Sequence, residues 1–94
     1  MKYRSRTELV SSILETANGG TTKTKIMYKA FLSYSQLKEY LAMLLHNELL
    51  AHDMENNMYH TTSKGIRFLE NSRQLDDLLN EHSVGQTGLD KKRV

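Results

Sequence analysis

Residues Lys23 to Leu45 read KTKIMYKAFLSYSQLKEYLAMLL, and the way this run divides decides the fold. Thr22 is positioned to start a short helix through about Ala30 that turns Ile26, Met27 and Ala30 inward. Phe31-Leu32-Ser33 is too short to be anything but a tight turn. Ser33 followed three residues later by Gln36 has the form of a capping box, so a third helix begins there and runs to roughly Asn47. On it Leu37, Leu41, Leu44 and Glu48 fall on one side at helical spacing, flanked by Tyr40 and Leu45. Ser35, Glu39, Ala42 and His46 fall opposite, with Gln36, Lys38 and Met43 between the two faces. One side is a core face and the other is short and polar. The three-residue link matches the tight turn that joins crossed helices.

Working outward, Ser5-Arg6-Thr7-Glu8 is a second capping box, and Leu9, Val10, Ile13, Leu14 and Ala17 follow at helical spacing. Asn18-Gly19-Gly20 stops that first helix, because glycine takes the left-handed cap conformation at little cost. On the other side, Leu49–Met54 and Met58–Thr62 are strand-like runs around Glu55-Asn56-Asn57, which predicts a β-hairpin whose turn uses asparagine's tolerance of positive φ. His52 and His60 are expected to face each other or solvent across it. Thr62 is the expected N-cap of a last helix from about Ser63 to His82, which ends at Ser83–Gly88. No internal repeat is visible. Helix, helix, helix, hairpin, helix predicts a mainly α fold with a small β-hairpin. The division expected is a winged helix-turn-helix over residues 1–62, a C-terminal coiled-coil-type dimerisation helix over 63–82, and a flexible basic tail over 83–94.

Composition narrows the function. The 94 residues are one domain's worth of chain, 38% apolar and 26% charged, which is globular rather than disordered. The absence of cysteine removes disulfide and thiol chemistry and fits a reducing compartment. Met1–Arg6 is polar and basic and no long apolar run follows, so neither a signal peptide nor a membrane span is expected. The net charge of +2 conceals an uneven distribution. From Met1 to Lys38, seven basic residues stand against Glu8 and Glu15; from Glu39 to His82, three basic residues stand against eight acidic ones. The tail is again basic, with Lys91, Lys92 and Arg93 against Asp90. The amino-terminal part is suited to a polyanion.

In a winged helix-turn-helix the second helix of the crossed pair enters the major groove, and its first turns meet base edges. Here those turns supply Tyr34, Ser35, Gln36, Lys38 and Glu39, with Ala42 one turn further. Gln36 can pair bidentately with adenine, Lys38 with guanine or phosphate, and Glu39 can accept from cytosine; Ala42 is short enough to approach a thymine methyl. Ser33 and Ser35 can bond phosphate oxygens at the positive end of the helix. Lys23, Lys25 and Lys29 belong to the helix that crosses the backbone and are assigned phosphate contacts. The hairpin tip is less favourable. Asp53 and Glu55 would repel phosphate, so either the hairpin stands off the groove or only Asn56 and Asn57 approach it.

The run from Lys23 to Leu45, with LVSSIL at Leu9–Leu14 and the Thr61-Thr62-Ser63-Lys64-Gly65 step into the last helix, resembles a small archaeal winged-helix family. Its best-known members are dimeric, chromatin-type DNA-binding proteins of about ten kilodaltons; related members resemble transcription regulators. The resemblance covers roughly Ser5 to Leu69, and the IMY…LSY spacing is its most specific part. It implies a dimer held by an antiparallel coiled coil of the last helices, binding double-stranded DNA without cofactor or metal, in the cytoplasm and associated with the nucleoid. Lys23, Lys25, Ser33, Tyr34 and Ser35 fall on the family's motif, and Tyr28 is expected to pack or hydrogen-bond beneath the turn. Lys29 stands where the family commonly has a small residue and should add positive charge. The last helix is shorter here than in the family, little more than two heptads beyond the domain.

On that helix Ile66 and Leu69 point towards the domain, whereas Phe68, Ser72, Leu75, Leu79 and His82 recur at coiled-coil spacing with Leu78 at the edge. A lone domain needs one apolar stripe per surface helix, so the second is assigned to a partner copy; the competing reading folds it onto the first helix of the same chain. Other functions are set aside. His46, His52 and His60 lack zinc-ligand spacing and no cysteine completes a set. Gly19-Gly20 is a helix stop and not a phosphate loop. RNA binding is disfavoured for want of an exposed aromatic stacking platform. The remaining rival is a winged-helix module that binds another protein instead of DNA.

Overall fold

A computed structural model of the chain describes residues 5–81; Met1–Arg4, the expected dimer residue His82 and the tail 83–94 lie outside them. Four helices and one hairpin follow in the expected order: α1 (Arg6–Ala17), α2 (Lys23–Ala30), α3 (Tyr34–His46), β1 (Leu50–Asp53), β2 (Met58–Thr61) and α4 (Ser63–Glu81).

Local chemistry sets the helix starts. Ser5 caps α1, its hydroxyl accepting from the Glu8 amide at 3.1 Å while the Glu8 carboxylate accepts from the Ser5 amide at 3.0 Å. Thr22 caps α2 by accepting from the Lys25 amide at 3.2 Å. α1 stops at Ala17, and Gly19 and Gly20 follow at φ 93° and 100°, a region closed to most side chains. α3 stops at His46, one residue before the expected end. Glu48 then takes φ 62°, which lifts its side chain off the core face that helical spacing had assigned to it and leaves it exposed.

One apolar core joins the elements. Val10, Ile13, Leu14 and Ala17 of α1, Ile26 and Ala30 of α2, and Leu37, Leu41 and Leu44 of α3 are buried, together with Leu32, Leu50, Tyr59 and Leu69. β1 and β2 pair antiparallel with Leu50 opposite Thr61 and His52 opposite Tyr59. That register places His52 and His60 on opposite faces of the hairpin, so the two histidines do not meet. His52 stacks on Tyr59 instead, with ring centroids 4.3 Å apart and planes 11° from parallel. Thr21 adds a one-residue third strand: its amide donates to the Tyr59 carbonyl at 2.9 Å and the Tyr59 amide returns a bond at 2.8 Å. Thr61 reaches in the other direction and donates to the Leu14 carbonyl at 2.6 Å. The hairpin is thereby tied to the last turn of α1 and to the loop that follows it.

The joint between α3 and α4 is a cluster of satisfied carbonyls. Thr62 donates to the Glu48 carbonyl at 2.7 Å and its hydroxyl accepts from the Gly65 amide at 3.0 Å, while Lys64 Nζ donates to the Asn47 carbonyl at 2.9 Å. Gly65 is the close approach here. A Cβ built on it would lie 2.5 Å from the Leu49 carbonyl oxygen and 2.5 Å from Thr61 Cγ2. Alanine ordinarily gains about 1 kcal/mol over glycine inside a helix, but this clash is with backbone that the hairpin holds fixed, and overpacking of that kind costs roughly 1–3 kcal/mol. Gly65→Ala is therefore expected to lower stability, read as a lower denaturation midpoint in urea at unchanged m; a raised midpoint would refute the tight joint.

α4 changes character along its length. Leu69 is buried, Ile66 and Phe68 pack against the core, and Ser72 accepts from the Ser11 hydroxyl of α1 at 3.3 Å. Arg73 lies 3.8 Å from Glu15. Beyond that point Leu75, Leu78 and Leu79 are 59%, 64% and 68% exposed. The expected dimer stripe is thus divided: Phe68 and Ser72 are engaged by their own chain, and Leu75, Leu78 and Leu79 are presented to solvent. Among the described residues no helix is long and apolar enough to cross a membrane.

Candidate nucleic-acid interface

The crossed pair α2–α3 is fixed from beneath by Ile26, Ala30, Leu32 and Leu37, all buried. Outward it presents Lys23, Lys25, Lys29, Ser33, Tyr34, Ser35, Gln36, Lys38, Glu39, Ala42 and His46, all exposed, together with the rings of Tyr28 and Phe31. No Asp or Glu occurs between Glu15 and Glu39, so this whole stretch carries lysine charge without compensation from its own segment.

At the start of α3 the capping box is complete. The Ser33 hydroxyl accepts from the Gln36 amide at 3.2 Å, the Ser33 amide donates to Gln36 Oε1 at 3.0 Å, and the Ser35 hydroxyl lies 3.4 Å from that of Ser33. Gln36 therefore has its carbonyl oxygen committed to the cap. A bidentate adenine contact would require breaking that bond; the arrangement offers the Nε2 group to a base edge and keeps the helix start ordered. Tyr34 projects from the first turn with Lys38 Nζ 5.6 Å from its ring centroid, one helical turn on.

Arg6 joins this surface, and sequence reasoning counted it only as charge. It donates to Met43 Sδ at 3.0 Å, lies 5.9 Å from the Tyr40 ring centroid, and lines a small cleft with Glu39, Tyr40 and Met43. The contact spans 37 positions in sequence, and no local spacing could have announced it.

Two expectations are corrected. Tyr28 does not pack beneath the turn: it is 74% exposed, because Ile26, Met27 and Ala30 take the inward face of α2 and Tyr28 falls opposite them. Phe31 is 83% exposed, so the surface does carry aromatic rings, contrary to the absence of a stacking platform inferred from sequence.

At the hairpin tip, Asp53 is a turn residue. Its Oδ1 accepts from the Glu55 and Asn56 amides at 3.1 and 3.3 Å, and its Oδ2 accepts from Asn56 Nδ2 at 2.8 Å. Asn57 takes φ 55°, and its Oδ1 lies 3.0 Å from His52 Nε2. Both asparagine side chains are therefore engaged within the turn, and reading bases with them would compete with these bonds. The side-chain amide of Asn56, and next its backbone amide, hold the Asp53 carboxyl below its ordinary range. A carboxyl depressed on folding stabilises above its unfolded pKa, and that contribution disappears as pH falls through the lower folded value. The tip is expected to loosen only in acid, below the ordinary aspartate range, and Asp53→Ala to loosen it at every pH. Amide exchange of Asn56 measures both; protection unchanged in the variant would contradict the assignment.

Among the described residues no group of three or more His, Asp or Glu is placed to hold a metal ion. The order of elements, the short turn between crossed helices and the hairpin after α3 are those of one sequence family, whose pattern, described as winged helix-turn-helix, matches residues 3–80. The chain belongs to the winged helix-turn-helix family. Its hairpin is the wing, and the resemblance read from Lys23–Leu45 holds at this level. A winged-helix crystal structure, that of Sso10a-2, a DNA-binding protein from Sulfolobus solfataricus, superposes on it with a TM-score of 0.75 over 83% of this chain and 84% of that one at 22% identity, so the two share a fold. No curated protein matches the winged-helix chain in sequence.

Proposed function

We propose that this winged-helix protein binds duplex DNA as a homodimer, with the first turns of α3 in the major groove and α2 across the sugar–phosphate backbone, and that it acts as a transcription regulator or a chromatin-type architectural protein of the nucleoid. The observation that carries the reading is the acid-free stretch between Glu15 and Glu39, which leaves Lys23, Lys25 and Lys29 exposed on α2 and Lys38 exposed on α3, whose start is capped. Four exposed cations on two consecutive helices, with no carboxylate in the same stretch, suit closely spaced phosphates. That the fold is shared with a DNA-binding protein agrees with it.

Roles follow from position. Lys23, Lys25 and Lys29 neutralise phosphates, and Ser33 and Ser35 bond phosphate oxygens beside them. Gln36, Lys38 and Glu39 meet base edges, Ala42 leaves room for the groove floor, and Tyr34 packs on the backbone with its Lys38 neighbour. Arg6 extends the contact along the same face. Asn56 and Asn57 stand at the margin, since their side chains already serve the turn. Dimerisation is assigned to Leu75, Leu78 and Leu79, prolonged by His82 and bordered by Phe68 and Ser72. None of these roles calls for catalysis or a cofactor.

A mobility-shift titration of mixed-sequence duplex at two salt concentrations, with and without competitor, tests the proposal. Binding that weakens steeply with salt is expected, and the competitor ratio separates an operator-reading regulator from an architectural protein. No shift at low salt would overturn it and favour the protein-docking alternative.

A further inference from the structure

The outward face of α2 and the turn after it carry two aromatic rings to which the proposed duplex binding, resting there on Lys25 and Lys29, gives no role. Tyr28 is 74% exposed and Phe31 83% exposed, and with Lys25, Lys29, Thr22 and Thr24 they line one open, mainly apolar surface. Single exposed aromatics are ordinary on a protein surface. Two adjoining ones, set between lysines on a segment without any acidic residue, are a different case. Phe31 moreover occupies the left-handed C-cap of α2 at φ 55°, where glycine or asparagine is the relaxed choice. The sequence therefore keeps a bulky ring in solvent at a position that local backbone geometry disfavours.

We propose that this surface is a stacking platform for unpaired nucleotides, so that the protein binds single-stranded nucleic acid at a site distinct from the duplex-reading turns of α3. The ligand has to offer two things at once. It must be an anion with charge repeated along a chain, to match Lys25 and Lys29, and it must present flat π faces, to match Tyr28 and Phe31. Single strands do so, because every base has an exposed face once unpaired, and alternating aromatic and basic side chains are how proteins hold them without reading sequence. A closed duplex buries those faces in its own stack and offers the rings nothing but sugar edges. Tyr34 plays a lesser part, since Lys38 already approaches its ring at 5.6 Å.

The chain contains no tryptophan, which gives a direct probe. Tyr28→Trp places the sole indole on the platform, and its fluorescence is read against oligothymidylate, a blunt duplex of matched length, and heparin as a polyanion without bases. Quenching by oligothymidylate that neither duplex nor heparin reproduces is expected. Tyr28→Ala with Phe31→Asn should weaken oligothymidylate binding roughly 10-fold per ring removed while leaving duplex affinity within about two-fold. Both side chains are largely in solvent, and equal thermal midpoints check that the variants fold. Equal quenching by heparin, equal loss on duplex, or no oligothymidylate binding would each overturn the proposal. The duplex reading stands or falls on its own arm: a protein that binds duplex but not single strands refutes only the platform, and one that binds single strands but not duplex overturns the proposed function and leaves the platform standing.

Discussion

Replacing Lys23, Lys25 and Lys29 together by alanine is expected to weaken duplex binding by a factor of several hundred per subunit at about 0.1 M salt. Each neutralised phosphate contributes roughly 0.9 to the slope of log affinity against log salt, so three contribute about 2.7, and one decade below molar salt converts that to a loss near 500-fold. The same variant should lower the measured slope by that amount. Folding is not the cause to fear. All three side chains are exposed, α2 is capped by Thr22 and not by a lysine, and alanine is the better helix former. The only favourable term lost is Lys29 in the last turn, worth about 0.3–1 kcal/mol against the helix dipole. By contrast Gln36→Ala should change the preference among sequences and leave the slope alone, while loosening the start of α3, because Gln36 closes the Ser33 cap. A triple variant with unchanged slope would show that α2 does not lie across the backbone.

Which features were legible in the sequence follows from how far apart their causes lie. Both capping boxes join residues three positions apart, and the apolar faces of α1 and α3 are set by helical period, so Ser5–Glu8, Ser33–Gln36 and the stripe Leu37–Leu41–Leu44 could be read directly. The Thr21–Tyr59 bridge, the Thr61 bond to Leu14 and the Arg6 contact with Met43 each join positions more than 35 apart, and nothing in the local pattern marks them. Helical spacing gives the inward stripe of α2 as Ile26, Met27 and Ala30, which leaves Tyr28 outward; the expectation that it packs beneath the turn comes from the family resemblance and does not hold in this chain. Asp53 was read as a surface charge near phosphate because its three hydrogen bonds exist only once the turn closes. Residues lining the candidate interface were legible through their charge and caps; how the aromatic rings are disposed was not, since exposure is a property of the packed domain.

Leu75→Asp with Leu79→Asp is expected to convert a dimer into a monomer without unfolding the domain, as read by sedimentation equilibrium and by circular dichroism. The two leucines are 59% and 68% exposed in the single chain, so charging them removes nothing from its core. In a dimer, Leu75, Leu78 and Leu79 from each copy would be covered, at about 1.5–3 kcal/mol per side chain, against the several kcal/mol that any association spends on lost translational and rotational freedom. The surplus is modest, so the dimer should dissociate on dilution, and two added carboxylates per copy should remove it. The family resemblance implies an antiparallel pairing, and the charge along α4 agrees with that direction. The first part of α4 carries Lys64, Arg67 and Arg73 against Glu70, and the last part carries Asp76, Asp77 and Glu81. Parallel helices would put like charge beside like, whereas antiparallel ones set the basic stretch of one copy along the acidic end of the other. Reversing Asp76 and Asp77 to lysine should therefore weaken self-association less than the leucine changes and invert its salt dependence, so that the residual dimer tightens as salt screens the new repulsion. A double leucine variant of unchanged mass would move the interface elsewhere and leave the exposed end of α4 to a different partner.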